Sequence, residues 1–169
     1  MKNKYLIMGL ILVLTLGMFA ACGKAEPEPE PEPKIEDTGD IPSDSILYFN
    51  DDEGSAELIK FFEDGNVPSE VTAMYDQMGS NPEITVTDPE TIQQLYKYLS
   101  QIRVKKETYE SITDCYHYIQ FKLADDKYIH YSFEGTDIWC YNGKNYSIEN
   151  SGAMFGLIKQ LTEEAAENN

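Results

Sequence analysis

The chain has 169 residues, 30 of them acidic and 13 basic, for a net charge of −17. That length holds one domain. The acidity sets the chain against phosphate backbones and anionic head groups, which disfavours nucleic acid, and none is expected as a partner.

The first 21 residues hold two lysines and no acid, so without them the charge becomes −19. Met1 to Lys4 is a short positive segment, and Tyr5 to Phe19 is apolar apart from Thr15 and two glycines. This is the layout of a secretory leader. An uncleaved membrane anchor, the alternative, usually needs about 20 apolar residues. The leader ends in "FAAC", Phe19 to Cys22. This segment resembles the lipobox of bacterial lipoproteins, with Ala20, Ala21 and Cys22 on the pattern and Phe19 where it has Leu. The resemblance implies a diacylglycerol thioether on Cys22 and cleavage before it. Acyl chains hold a protein on a membrane through roughly 0.8 kcal/mol per buried methylene. The expected address is therefore outside the cytoplasm, on a bacterial membrane, and leader and anchor readings agree on that.

Residues 26–33 are four Glu-Pro pairs. Such a run favours polyproline II at about 3.1 Å per residue, so residues 22–42 form an acidic tether able to hold a domain up to about 60 Å from lipid. The organisation expected is leader 1–21, tether 22–42 and one globular domain over 43–166. That domain is long enough for a real core without metal or disulfide.

Within it, "SILYFN" (45–50) reads as a short strand and 55–64 as a helix with Leu58, Ile59 and Phe62 on one face and Gly65 to close it. Residues 68–78 read as a helix with Val71, Met74 and Met78 inward, and "EITVT" (83–87) as a strand. At "TDPET" (87–91), Asp88 supplies a cap and Pro89 sits where its missing N–H costs nothing. The helix that follows places Ile92, Leu95, Tyr96, Leu99 and Ile102 at helical spacing. A loop is expected over 103–114. The last helix begins near Ser151 and turns Met154, Leu157, Ile158 and Leu161 inward.

Residues 115–148 read as a four-strand meander: "CYHYIQFKL", "YIHYSFE", "DIWCY" and "NYSI". Turns centred on Asp126, on Gly135-Thr136 and on Asn142-Gly143 set the register and sort the side chains onto two faces. One face carries Ile119, Phe121, Ile129, Tyr131, Phe133, Ile138 and Cys140, and should meet the helices. The other carries Tyr116, Tyr118, His130, Trp139, Tyr141 and Tyr146, with Lys122, Ser132 and Glu134 among them. The fold expected is α+β, an antiparallel sheet of this meander plus one or two N-terminal strands with helices on one face.

Catalytic constellations are sparse. In this register Cys140 lies level with Phe121, about 20 Å along the strands from Cys115, too far for a disulfide. It also shares no face with His130. His117 and His130 point to opposite faces, so they cannot share a metal, and no metal or other cofactor is expected. "NDDEGSAE" (50–57) fails as a calcium loop, because aligning Gly54 with the required glycine puts Phe49 at the first ligand position. Asp125-Asp126 reads as a hairpin turn. No phosphate loop, GxSxG or HExxH segment occurs.

What stands out is the aromatic face, since Tyr and Trp combine apolar area with a polar edge. Ordinary strand preference also produces such a face, and the N-terminal strand and the 103–114 loop could cover it. The function expected is a lipid-anchored binding domain without catalysis, with Tyr116, Tyr118, His130, Trp139, Tyr141 and Tyr146 as its face. Its partner would be an envelope protein or a cell-wall glycan. An envelope hydrolase with a site near His130, and an accessory subunit of a larger envelope complex, are the alternatives.

Overall fold

The computed structural model describes residues 41–51, 53–75, 83–111 and 115–167; the leader, Cys22 and the Glu-Pro run lie outside them. The described residues form an α+β fold built on one seven-stranded sheet in the order β2-β1-β4-β5-β6-β7-β3. The strands are β1 (Glu70–Tyr75), β2 (Ile84–Val86), β3 (Arg103–Thr108), β4 (Tyr116–Lys122), β5 (Tyr128–Glu134), β6 (Ile138–Tyr141) and β7 (Lys144–Glu149). Every pairing is antiparallel. Three helices accompany it: α1 (Glu53–Glu63), α2 (Pro89–Ser100) and α3 (Gly152–Glu167). None of the described helices is long and apolar enough to cross a membrane.

The helices begin and end for local reasons. Asp88 accepts from the Thr91 amide at 2.9 Å and from the Thr91 hydroxyl at 2.6 Å, while Pro89 opens α2. Asp88 thereby satisfies one of the helix-start amides that lack partners, and Pro89 removes another by having no N–H. Helix α1 closes at Gly65, whose φ of 77° is the left-handed conformation a helix end needs, with the Asn66 amide returned to the Phe61 carbonyl at 3.1 Å.

One face of the sheet makes the core. Cross-strand rows run Val86–Val71–Phe121–Ile129, Ile84–Ala73–Ile119–Tyr131 and His117–Phe133–Trp139–Tyr146. Apart from the buried His117, all belong to the core cluster, together with Leu58, Ile59, Ile92, Leu95, Leu99, Met154, Phe155 and Ile158 from the helices. Between sheet and helix, the Ser55 and Tyr131 hydroxyls meet at 2.7 Å, both side chains fully buried.

Five expectations are corrected. The smallest is the β4–β5 turn, which is centred on Asp125 rather than Asp126, so that Phe121 pairs with Ile129 and the strands slide by two residues without changing faces. Residues 68–78 do not form a helix: Val71 and Ala73 alternate inward as β1, between β2 and β4, and β-branched and aromatic residues suit that slot. Residues 45–50 are not a strand but mostly a 3-10 helix, Ile46–Asp51, with a single bridge from Ser45 to Arg103. Ile46 and Leu47 are both buried, and a half-buried strand cannot bury two neighbours. The expected 103–114 loop opens with an edge strand, β3, along β7.

The fifth correction is also one of register. Ser132 pairs with Cys140, Phe133 with Trp139 and Glu134 with Ile138. The connection is therefore the three-residue Gly135-Thr136-Asp137, entered through Gly135 at φ 61°, rather than the two-residue turn. One extra residue moves every β6 side chain to the opposite face. The Asn142-Gly143 turn is as expected, with Tyr141 opposite Lys144, so the β7 side chains move with those of β6. Trp139, Tyr141 and Tyr146 thereby join the helix-covered side, and Ile138 and Cys140 leave it.

Candidate functional site

Helices cover one face of the sheet, and the other face is the candidate site. Of the six aromatic-face residues, it holds Tyr116, Tyr118 and His130. Trp139 is 1% exposed and Tyr146 6%. Phe49, from the N-terminal segment, packs edge-on against both, at 5.4 and 4.6 Å between ring centroids. Tyr141 stacks on Trp139 at 4.8 Å. A single six-residue face does not exist; the N-terminal segment covers half of it.

On the open side the register lays polar and aromatic residues in rows. Met74, Tyr118, Ser132, Cys140 and Asn145 lie side by side, as do Thr72, Gln120 and His130, and Tyr116, Glu134, Ile138 and Ser147. Tyr116 and Tyr128 are 43% and 47% exposed. Ile138 is buried, but on this side of the sheet and outside the main cluster.

Two hydrogen-bond groups organise the face. In the first, the Tyr116 hydroxyl donates to Ser132 Oγ at 2.9 Å, and Ser132 Oγ meets His130 Nε2 at 2.8 Å. The Ser132 hydroxyl has two lone pairs and one hydrogen, so with Tyr116 donating to it, it can either donate to Nε2 or accept from it, according to the imidazole tautomer. Partial burial holds the His130 pKa below its usual value, so the ring is neutral at pH 7. The Tyr118 ring leans on His130 at 5.2 Å, and its hydroxyl donates to Glu83. Burial, and then that carboxylate, push the Tyr118 pKa up to about 12.

The second group surrounds Glu134. Its Oε2 accepts from Ser111 at 2.7 Å and from Asn145 Nδ2 at 3.4 Å, and Asn145 also donates to the Glu110 carbonyl at 2.9 Å. Residues 110 and 111 are thus tied across this end of the sheet. Burial, and then Glu134, push the Cys140 thiol up to about 11, far from the thiolate that nucleophilic chemistry uses. At the other end Lys122 lies 3.2 Å from Asp126 and 5.8 Å above the Tyr128 ring.

The corrected register changes two readings of the cysteines. Cys140 does share a face with His130, one row away. Cys115 and Cys140 are unpaired, though for a different reason than the expected offset. Cys140 is level with Tyr118 through Ser132, so Cys115 stands about 10 Å along the strands and two strand spacings away, beyond disulfide reach. His117 is on the core side, 2% exposed and stacked on Tyr75 at 4.4 Å. No group of three or more metal-binding side chains occurs among the described residues.

Chemically the open face combines hydroxyls, aromatic rings, the His130 imidazole, the Cys140 thiol, the Glu134 carboxylate and Lys122. The Ser132–His130 contact has the length of a nucleophile-base pair. Yet it stands on a central strand, where backbone N–H groups lie in the sheet plane and bond neighbouring strands on both sides. An oxyanion site needs such groups pointing at the reacting atom. Of the residues missed in the sequence, Tyr128 shares the parity of His130 and was findable, whereas Cys140 was hidden by the turn length and Glu83 by its distance along the chain. No protein-family model, curated protein or solved structure matches the chain.

Proposed function

We propose that the chain is a lipoprotein, moored through acyl chains on Cys22, whose α+β domain binds an envelope protein outside the cytoplasm without catalysis. The binding surface is the helix-free sheet face around Tyr116, Tyr118, Tyr128 and His130. The observation that carries this reading is that face itself: central strands present partly exposed aromatic rings whose hydroxyls are already oriented by Ser132 and Glu83. Side chains held in place before contact lose less entropy on binding. "FAAC" and the Glu-Pro tether support the address and the stand-off from lipid.

Two experiments test it. Mass spectrometry of the membrane-bound protein should find a chain beginning at a diacylated Cys22; a bare Cys22 on a full-length chain refutes the anchor. A photo-crosslinking side chain at Tyr128, in the full-length protein in its own membrane, should give a discrete protein adduct. The same group at Gln160, on the solvent side of α3, should give none. Equal adducts at both, or none at Tyr128, refute the face. An adduct that survives purification as one stable complex favours the accessory-subunit reading, and capture of wall fragments favours the glycan.

The Ser132–His130 contact at 2.8 Å favours a second reading, an envelope hydrolase. A fluorophosphonate probe that labels Ser132 in the wild type but not in His130→Ala would support it. An unlabelled Ser132 removes it.

A further inference from the structure

The two edges of the sheet are built differently. Along β3, the register shifts between Val104 and Lys106, Lys105 pairs with Glu149 at 2.7 Å, and Glu107 pairs with Lys144 at 2.8 Å. A bulge and a charged edge are two devices that stop another strand from adding. The β2 edge carries neither. Its register with β1 is unbroken, from Val71–Val86 to Ala73–Ile84, and Ile84, Thr85 and Val86 include no charge and no proline.

Beside that edge runs a cleft of about 400 Å³. Leu161 and Ala165 of α3 give it an apolar wall, and Thr85, Thr87 and Thr91 are among the residues that line the rest. Two carboxylates, Glu83 and Asp88, stand at the ends of the β2 stretch, and no lining residue is a cation. Each is engaged through one oxygen, Glu83 Oε2 with Tyr118 and Asp88 Oδ2 with Thr91. Along an extended chain the two positions are about 17 Å apart.

We propose that this cleft takes an extended peptide, which adds as a strand to β2 with a lysine or arginine near each end. Backbone pairing supplies part of the affinity. The strand is only three residues long, so pairing alone is weak, and the apolar wall of α3 and the two carboxylates supply the rest. The alternation of a strand turns every second peptide side chain toward Leu161 and Ala165 and the others to solvent. Charge decides between peptides: an acidic one meets like charge at both ends.

The test uses the full-length chain in mild detergent and two fluorescein-labelled hexapeptides, Lys-Val-Thr-Val-Thr-Lys and Glu-Val-Thr-Val-Thr-Glu. In anisotropy titrations the basic peptide should bind at least about tenfold more tightly than the acidic one, and more weakly as salt is raised. Ala165→Phe fills the cleft without changing charge and should weaken the basic peptide by about tenfold or more. Hydrogen exchange should slow over residues 83–88 when that peptide is bound. Equal affinity for the two peptides, undiminished binding to Ala165→Phe, or unchanged exchange over 83–88 overturns the proposal. So does a dimer of the chain abolished by Ala165→Phe in the absence of peptide binding, which assigns the cleft to a second copy. Crosslinking at Tyr128 reads the open face and this titration reads the cleft, so either can fail alone.

Discussion

Trp139 is the only tryptophan in the chain, so one fluorophore reports on the β5–β6 register. In the observed register it is 1% exposed, with Phe49 at 5.4 Å, Tyr141 at 4.8 Å and Tyr146 at 5.8 Å around it. Trp139→Ala removes a fully buried aromatic side chain and leaves a cavity, which costs about 3–5 kcal/mol. Small domains have about 5–15 kcal/mol in total, so the variant should unfold at markedly lower urea, with circular dichroism as the readout. Acrylamide quenching of the wild type should be far weaker than for an indole in water. With a two-residue turn Trp139 would lie on the open face, and its replacement there would change stability by only about 0.5 kcal/mol. A small loss of stability together with strong quenching therefore refutes the register and restores the six-residue aromatic face.

Gly143 sits at φ 73° with nothing within 4 Å of an added Cβ, so Gly143→Ala should cost about 1–2 kcal/mol from backbone conformation alone, read by thermal melting. Tyr131→Phe removes one bond from the buried Ser55–Tyr131 contact at 2.7 Å and should cost on the order of 1 kcal/mol; a double-mutant cycle with Ser55→Ala isolates the term, and a coupling near zero refutes it. The Cys140 thiol is raised from 9.0 to about 11 in the folded state. Its contribution to stability is therefore fully present below pH 9 and lost as pH rises toward 11. Alkylation by iodoacetamide, followed at the Cys140 peptide, should be slow at pH 8 and faster in Glu134→Gln, and rapid labelling of the wild type at pH 8 contradicts the assigned surroundings.

The α+β class, the helices α1, α2 and α3, and the faces of β4 and β5 were legible because strong local signals agreed with packing. Asp88-Pro89 starts α2, and Asn142-Gly143 carries the positive φ values, 49° and 73°, that a two-residue hairpin demands. The failures share a cause. In β6, Ile138, Trp139, Cys140 and Tyr141 are apolar at both parities, so alternation assigns no inward side. Gly135-Thr136-Asp137 suits a two- or three-residue connection equally well. What decides is tertiary: Phe49, some 90 residues earlier, supplies the pocket that Trp139 fills, and no local window contains both. Residues 70–75 fit helical and strand periods alike, and the open slot beside β4 settles them as a strand. The charges of β3 suppress the hydrophobic pattern because it is an edge.

The same architecture bears on binding and on catalysis, in opposite directions. Strands β4 and β5 have neighbours on both sides, so their backbones are held and the side chains above them stand at fixed spacings. That fixity, with Tyr116 bonded to Ser132 and Tyr118 to Glu83, is what the proposed binding role would draw on, since side chains held in place lose less entropy on contact. Complete pairing also consumes the amides of those strands within the sheet plane, and so removes the donors an acyl-transfer site would aim at a developing oxyanion. A Ser-His pair on such a platform has a base and a hydroxyl but no backbone cradle for charge. The tyrosine hydroxyls nearest to it are already committed to Ser132 and Glu83. On the proposed binding reading, the paired strands that hold these side chains at fixed spacings are the same ones whose amides lie in the sheet plane, so the hydrolase reading would need oxyanion donors from elsewhere than β4 and β5.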